Sequence, residues 1–419
     1  MFERPKVGEK AIVISLDFGG FDNDDDTFEI TELTKSAGFD VAELITSKRT
    51  VPHTKFFVGS GKIQEILLMK TSLEAKTLIF NHELSPSQER NIEKITGMRV
   101  YDRTALILFI FSLRAKSYEG KLQVELAHLD HLSTRLVKGW SHLERQKGGI
   151  GVRGGPGEKQ IELDKRMLGI RIKQLKQKLS KLAKQRGMQR RARKRSQALS
   201  VSIVGYTNAG KSTMLEKITS SKTYVANELF ATVDSLQREL KIDGINEHII
   251  LSDTVGFIQN LPTTLIDSFK STLTVVKEAN LLIHVVDAAS ALPEMHINTV
   301  HEILDQIGAS VPELLVFNKI DRIDRASLNY LIEKYPNAIF VSSTKGTNLE
   351  SLVSEITTNV FGEIKEVLLF ISPKNLDQLH KYSSIISVEN NESGLEVNVK
   401  IRNYYLENLL QKDVVKLLS

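Results

Sequence analysis

The stretch Gly205-Tyr206-Thr207-Asn208-Ala209-Gly210-Lys211-Ser212 sets two glycines, a lysine and a hydroxyl at the spacing of a phosphate-binding loop. Glycines at both ends let the backbone curl until successive N–H groups converge on phosphate oxygens. Lys211 is placed to reach the β- and γ-phosphates as a catalytic cation, and the Ser212 hydroxyl to ligate Mg²⁺. With Thr213 on the following turn, these residues form the candidate phosphate site.

Three later motifs supply what such a loop lacks. Thr232 lies about twenty residues on, where a switch segment offers a hydroxyl to Mg²⁺ and the γ-phosphate. Asp253-Thr254-Val255-Gly256 ends an apolar strand, with Asp253 as candidate metal ligand and the Gly256 N–H as γ-phosphate sensor. Asn318-Lys319-Ile320-Asp321 then selects the base. A carboxylate at Asp321 accepts from both N1–H and the 2-amino group of guanine, and adenine has neither donor. Asn318 is expected to brace the loops, the Lys319 stem to cover the base, and the backbone of Ser342-Ser343-Thr344 to reach the 6-oxo group. Regulatory GTPases place a water-orienting glutamine after D-x-x-G. Here Phe257 stands in that position, so intrinsic hydrolysis is expected to be slow. An apolar residue there, with Asn208 in the loop, also resembles the potassium-activated GTPases and makes K⁺ a candidate second cofactor.

The elements that must hold these residues are legible in the apolar runs. Val201–Val204 reads as a buried parallel strand and Thr213–Ile218 as a helix start. Ile249–Leu251, Leu281–Val286, Leu314–Phe317 and Ile339–Val341 complete a sheet. Upstream, strands Ala11–Leu16, Val41–Ile45, Leu78–Phe80 and Met98–Val100 alternate with helices Thr27–Ala37, Lys62–Met69 and Ser87–Thr96, which implies a parallel α/β unit. Leu122, Leu126, Leu129, Leu132, Leu136, Trp140 and Leu143 step by threes and fours. So do Leu168, Ile172, Leu175, Leu179 and Leu182. Two such stripes flanking a glycine-rich loop predict a long antiparallel helical hairpin. After Glu363, Val367–Ile371 and Leu395–Ile401 read as strands around a helix at Leu376–Tyr382. The expected architecture is α/β, with an N-terminal unit (1–116), a helical hairpin (117–195), a P-loop GTPase domain (196–362) and a small C-terminal α/β appendage (363–419).

Composition narrows the setting. The 419 residues include no cysteine, which excludes disulfides and thiolate metal sites. The first six residues lack the apolar core of a secretory leader, and the longest apolar run, Ala105–Phe111, is too short to cross a membrane. A cytoplasmic location is expected, free or peripheral at a membrane. Lys165–Arg195 holds fourteen Lys and Arg and no acid; setting these aside leaves 42 of the 56 basic residues against 51 acidic ones. An acidic body with one basic arm is the footprint of a polyanion partner. The Gly148–Gly157 loop has six glycines in ten positions and basic residues around it, which suits close approach to another backbone. The candidate RNA contacts are Arg145, Lys147, Gly149, Arg153, Gly154, Lys159, Arg190, Arg191, Arg193, Lys194 and Arg195.

Taken in order, GGIGVRGGPGEKQ at Gly148–Gln160, LSTRLVKGWSHLERQK at Leu132–Lys147, the phosphate loop and DTVGFI at Asp253–Ile258 resemble the HflX family of translational GTPases. The likeness is strong from about Val58 to Gly346. An extra glycine, Gly155, departs from the family's usual R-G-P-G-E run. The resemblance implies a monomeric, Mg²⁺-dependent GTPase that binds the large ribosomal subunit. It implies that the protein splits or rescues ribosomes under stress, with the hairpin tip near the peptidyl-transferase region and hydrolysis stimulated by ribosomal particles. The rival readings are a GTPase of ribosome assembly or RNA maturation, and a signalling switch without an RNA role.

Overall fold

The computed structural model describes residues 8–19, 23–146, 156–195, 199–219, 229–230, 236–241, 248–259, 273–391 and 394–418, with side chains omitted at 23–25, 136–146, 156–162, 164, 186 and 189–195. Three sheets organise them. The first comprises β1 (Glu9–Asp17), β2 (Phe39–Lys48), β3 (Thr77–Phe80) and β4 (Arg99–Tyr101), in the order β2-β1-β3-β4 and parallel throughout. Helices α1 (Asn23–Ser36), α2 (Ser60–Leu73) and α3 (Pro86–Thr96) connect these strands, as the alternation of patterns predicts. The start of α3 is set by a capping box, in which Ser85 and Gln88 satisfy each other's backbone N–H. The apolar run at Ala105–Phe111 belongs to α4 (Arg103–Arg114), opened by the Asp102 side chain on the Ala105 N–H. Seven of its residues are buried, so this run is core.

Two long helices follow, α5 (Tyr118–Gln146) and α6 (Pro156–Arg195). Their leucine stripes meet: Leu122, Leu126 and Leu175 are buried together, with Leu129, Ile172, Leu179 and Leu182 against them. The glycine-rich segment that would join the two helices lies outside the described residues.

The second sheet has the order β10-β9-β8-β5-β7-β6. Its strands are β5 (Leu199–Gly205), β6 (Leu236–Lys241), β7 (His248–Asp253), β8 (Leu281–Asp287), β9 (Glu313–Asn318) and β10 (Ile339–Phe340). All are parallel except β6, which runs antiparallel to β7. Strand order departs in both directions from β5, toward β7 on one side and β8 on the other. That is a topological switch point, where doubly wound sheets open a crevice at the carboxyl ends of their strands. Helix α7 (Lys211–Thr219) leaves from it. The third sheet, β12-β13-β11-β14, is antiparallel and comprises β11 (Ile364–Ile371), β12 (Ser383–Asn391), β13 (Gly394–Arg402) and β14 (Val415–Leu417). It shares one apolar core with the second sheet through the helix Leu349–Phe361. Among the described residues no helix is long and apolar enough to cross a membrane.

Candidate nucleotide site

The loop between β5 and α7 demands glycine at both ends. Gly205 (φ +149°) lies so close to β8 that a Cβ there would stand 2.2 Å from the Val285 carbonyl oxygen. Gly210 (φ +94°) would carry its Cβ to 2.2 Å from Asn318 Nδ2. Between them Asn208 takes the left-handed conformation (φ +61°) and is exposed, while Tyr206, Thr207 and Ala209 are buried.

Lys211 is buried at the first turn of α7, where Nζ donates to the carbonyls of Gly205 (3.0 Å) and Tyr206 (2.7 Å). Burial lowers its pKa to about 8; the Asp253 carboxylate opposes the shift and the Lys319 ammonium adds to it. Ser212 Oγ donates to Asp253 Oδ2 at 2.6 Å, and Asp253 is fully buried at the end of β7. A hydroxyl beside a buried carboxylate at a helix N-terminus is the hard-oxygen pair that Mg²⁺ takes alongside phosphate and water, so these residues fit that ion. Thr213 is half-buried on the same turn. Thr232, the third candidate ligand, lies outside the described residues.

The segment after Asp253 is hydrogen-bonded to the phosphate loop like a short extra strand. Thr207 N–H donates to Phe257 O (2.7 Å) and Phe257 N–H to Gly205 O (3.1 Å). This brings Gly256 against the loop, where a Cβ would stand 2.8 Å from Thr207 Cγ2 and 3.0 Å from Lys211 Nζ. The Phe257 ring turns away into a core with Val204, Leu273, Val276 and Leu282. That side chain neither carries a polar atom nor faces the crevice.

On the far side of the crevice Asn318 ties three segments together. Its Nδ2 donates to Ala209 O (2.9 Å), and its Oδ1 accepts from both the N–H and the hydroxyl of Ser343 (2.9 Å each). Lys319 adopts φ +65° and its Nζ pairs with Asp287 Oδ2 at 2.7 Å, which fixes the stem. Asp321 Oδ1 accepts from Ser342 Oγ at 2.6 Å, and that bond holds the carboxyl below its ordinary pKa. Thr344 is exposed beside it. Phosphate loop, acidic strand end and the Asn318–Asp321 loop thus border one crevice.

The N-terminal unit also closes on this site, and none of the sequence motifs pointed to it. The Tyr206 hydroxyl donates to Glu29 of α1 and accepts from the Gln259 N–H at 3.0 Å. Burial and the Glu29 carboxylate push the phenol pKa up, so it stays a donor. Arg103 pairs with the same Glu29, and donates to Gln259 O (3.1 Å) and Asn81 Oδ1 (2.7 Å). The His296 ring stacks on Tyr206, with centroids 3.9 Å apart. Phe230, just before the Thr232 segment, meets Phe111 edge to face at 4.7 Å, and the Leu229 N–H donates to Ser36 Oγ at 2.9 Å. No local pattern marks Glu29, whose partner is 177 positions away.

The candidate RNA contacts stand apart from the crevice in sequence. Arg145 lies in α5; Lys159, Arg190, Arg191, Arg193, Lys194 and Arg195 lie in α6. Lys147, Gly149, Arg153 and Gly154 lie outside the described residues.

Known proteins bear on this arrangement. Residues 24–112 match the family described as GTP-binding GTPase N-terminal, residues 114–193 the GTP-binding GTPase Middle Region, and residues 200–319 the 50S ribosome-binding GTPase family. The GTPase HflX of Escherichia coli (strain K12) is 42% identical over 412 residues, covering 96% of this chain and 95% of that protein. The GTPase HflX of Flavobacterium psychrophilum is 41% identical over 384 residues, covering 86% and 91%. Among solved structures, a GTP-binding protein of Sulfolobus solfataricus in complex with GDP superposes with a TM-score of 0.46 at 26% identity, covering 84% of this chain and 98% of that one.

Proposed function

The chain belongs to the HflX family of GTPases, and from that premise we propose that it hydrolyses GTP on the large ribosomal subunit, using the cycle to split or rescue ribosomes. As a family member it is a GTP hydrolase with a P-loop domain. The observation that carries the nucleotide half is the convergence of Lys211, the Ser212–Asp253 pair and the Asn318–Asp321 loop on one crevice. Ser212, Asp253 and Thr232 would hold Mg²⁺, which supplies charge neutralisation between phosphate oxygens. Lys211 binds the phosphates and Asp321 reads guanine.

The ribosomal half draws support from the basic residues of α6 and from the 50S ribosome-binding description matched by residues 200–319. In this reading the four units 1–116, 117–195, 196–362 and 363–419 divide the work, with the hairpin reaching into the particle. Phe257 leaves the attacking water without a positioning group, so the particle supplies the missing term. An added group in trans contributes about 10³–10⁵-fold in phosphoryl transfer. By reciprocity GTP tightens particle binding as much as the particle tightens GTP binding.

The test is GTP turnover with purified large subunits, small subunits and neither. Marked stimulation by large subunits alone supports the proposal. Basal turnover already as fast as the stimulated rate, or a preference for immature particles, overturns it. Deleting Gly149–Gly157 should abolish splitting with basal turnover intact. Replacing Arg190, Arg191, Arg193, Lys194 and Arg195 with glutamine should flatten the salt dependence of particle binding, because fewer counterions are released.

A further inference from the structure

Away from the crevice, three metal-ligating side chains converge from three rigid elements. His284 lies mid-strand on β8, Glu313 opens β9, and His301 lies on the helix Pro293–Ile307, which packs against β5 and β8. His284 Nδ1 is 2.7 Å from Glu313 Oε1, and His301 Nε2 is 3.1 Å from Glu313 Oε2. The two imidazoles meet edge to face at 5.4 Å. One ligand atom from each residue lies within 4.8 Å of the other two, and this is the one such group of three among the described residues. We propose that His284, His301 and Glu313 bind one divalent transition-metal ion of the zinc type.

The ligand set suits that class. A tetrahedral ion with bonds of about 2.0–2.2 Å to nitrogen and oxygen holds its ligand atoms roughly 3.4 Å apart. Glu313 Oε1 lies 2.7 Å from His284 Nδ1 and 3.2 Å from His301 Nε2, and all three ligand atoms lie within 4.8 Å of one another, so closing on an ion asks for shifts of up to about 1 Å, which fall to the partly exposed Glu313 and His301 side chains. Two imidazoles and a carboxylate favour zinc, cobalt or nickel over the hard ions that choose all-oxygen sites. The site therefore differs in kind from the Ser212–Asp253 pair. In a chain without cysteine, imidazole nitrogen is the best ligand on offer for such an ion.

Placement points the same way. His284 is buried with its Nδ1 already turned to the Glu313 carboxylate. Among the described residues only these two imidazoles pair with the Glu313 carboxylate. His284 is buried, whereas His301 is 47% exposed, which leaves a route in and room for a water as fourth ligand. The same helix carries His296, stacked on Tyr206. An ion here would pin to the sheet the helix that seats the phosphate loop.

The experiment uses the full chain, stripped with a chelator, returned to Mg²⁺ buffer and titrated with Co²⁺ and with Zn²⁺ against a chromophoric competitor. The expected result is one equivalent bound, with the visible absorption of four- or five-coordinate cobalt. His301→Ala and Glu313→Gln, both partly exposed, should each weaken binding at least about tenfold. Zinc should raise the melting temperature of the parent and not of the double variant. Unchanged GDP affinity in the variants shows that they are folded. No stoichiometric binding by the parent, or binding that both variants retain, overturns the proposal.

Discussion

The Tyr206 side chain of the phosphate loop donates its hydroxyl proton to Glu29, a residue of the first helix. The same oxygen accepts the N–H of Gln259, just past the D-x-x-G segment. One phenol thus joins the N-terminal unit, the phosphate loop and the D-x-x-G segment. Tyr206→Phe keeps the ring on His296 and strands the Gln259 N–H, a loss of about 1 kcal/mol or roughly fivefold in an equilibrium. GDP should dissociate about fivefold faster, and hydrogen exchange should quicken at Phe257–Gln259. Unchanged exchange there would show that Glu29 does not restrain the segment.

Asp321 accepts from Ser342 and presents its carboxylate at the base side of the crevice. Asp321→Asn replaces one acceptor with a donor. GTP affinity should fall about 100-fold, the loss of two charge-assisted hydrogen bonds, while xanthosine triphosphate binds better because its 2-oxo group pairs with the amide. Competition binding with the two nucleotides reads this directly, and equal GTP affinity in the variant removes Asp321 from the site.

Gly256 has no room for a methyl group, since a Cβ would press on Thr207 and on Lys211 Nζ at 3.0 Å or less. In Gly256→Ala the flexible ammonium yields first and moves off its place beside the loop. Single-turnover GTP hydrolysis should drop at least about tenfold. GDP, which has no γ-phosphate but still meets Lys211 through its β-phosphate, should lose less affinity than GTP does.

The Lys211 pKa of about 8 makes nucleotide binding pH-dependent. Phosphates favour the ammonium, so the pKa rises in the complex. Below pH 8 the lysine is charged in both states and affinity is flat. Above it, binding must take up a proton, and affinity falls by up to roughly tenfold per pH unit until the complex itself titrates. The stability of the unliganded protein moves the other way. The lowered pKa is a cost at pH below about 8 that fades as pH rises toward the ordinary lysine value of 10.5. Isothermal titration with GDP from neutral to mildly alkaline pH checks the first trend; a level profile would place Lys211 away from the phosphates.

Asn208 is exposed in the phosphate loop with a left-handed backbone, which leaves its side-chain carbonyl available to a monovalent cation. Turnover should be several-fold faster in KCl than in NaCl, and Asn208→Ala should erase the difference. Equal rates in the two salts reject a role for K⁺.

The nucleotide machinery was legible in the residue order because its parts are local. A phosphate loop is eight consecutive residues whose glycines are required by backbone close approach, as at Gly205 and Gly210. Asp253 and Asn318 could be placed because each ends an apolar strand, and parallel strands in one sheet end at the same edge. The leucine stripes of α5 and α6 likewise announced that they needed a partner. A periodic apolar face says only that something covers it, and what does so is decided by long-range packing. That Phe111 meets Phe230, that Glu29 and Arg103 hold Tyr206 and Gln259, and that His284, His301 and Glu313 share one cluster all depend on how the sheets and helices dock. Partners as far apart as Glu29 and Tyr206, 177 positions in sequence, leave no periodic trace, because the energy that pairs them appears only once the intervening chain has folded.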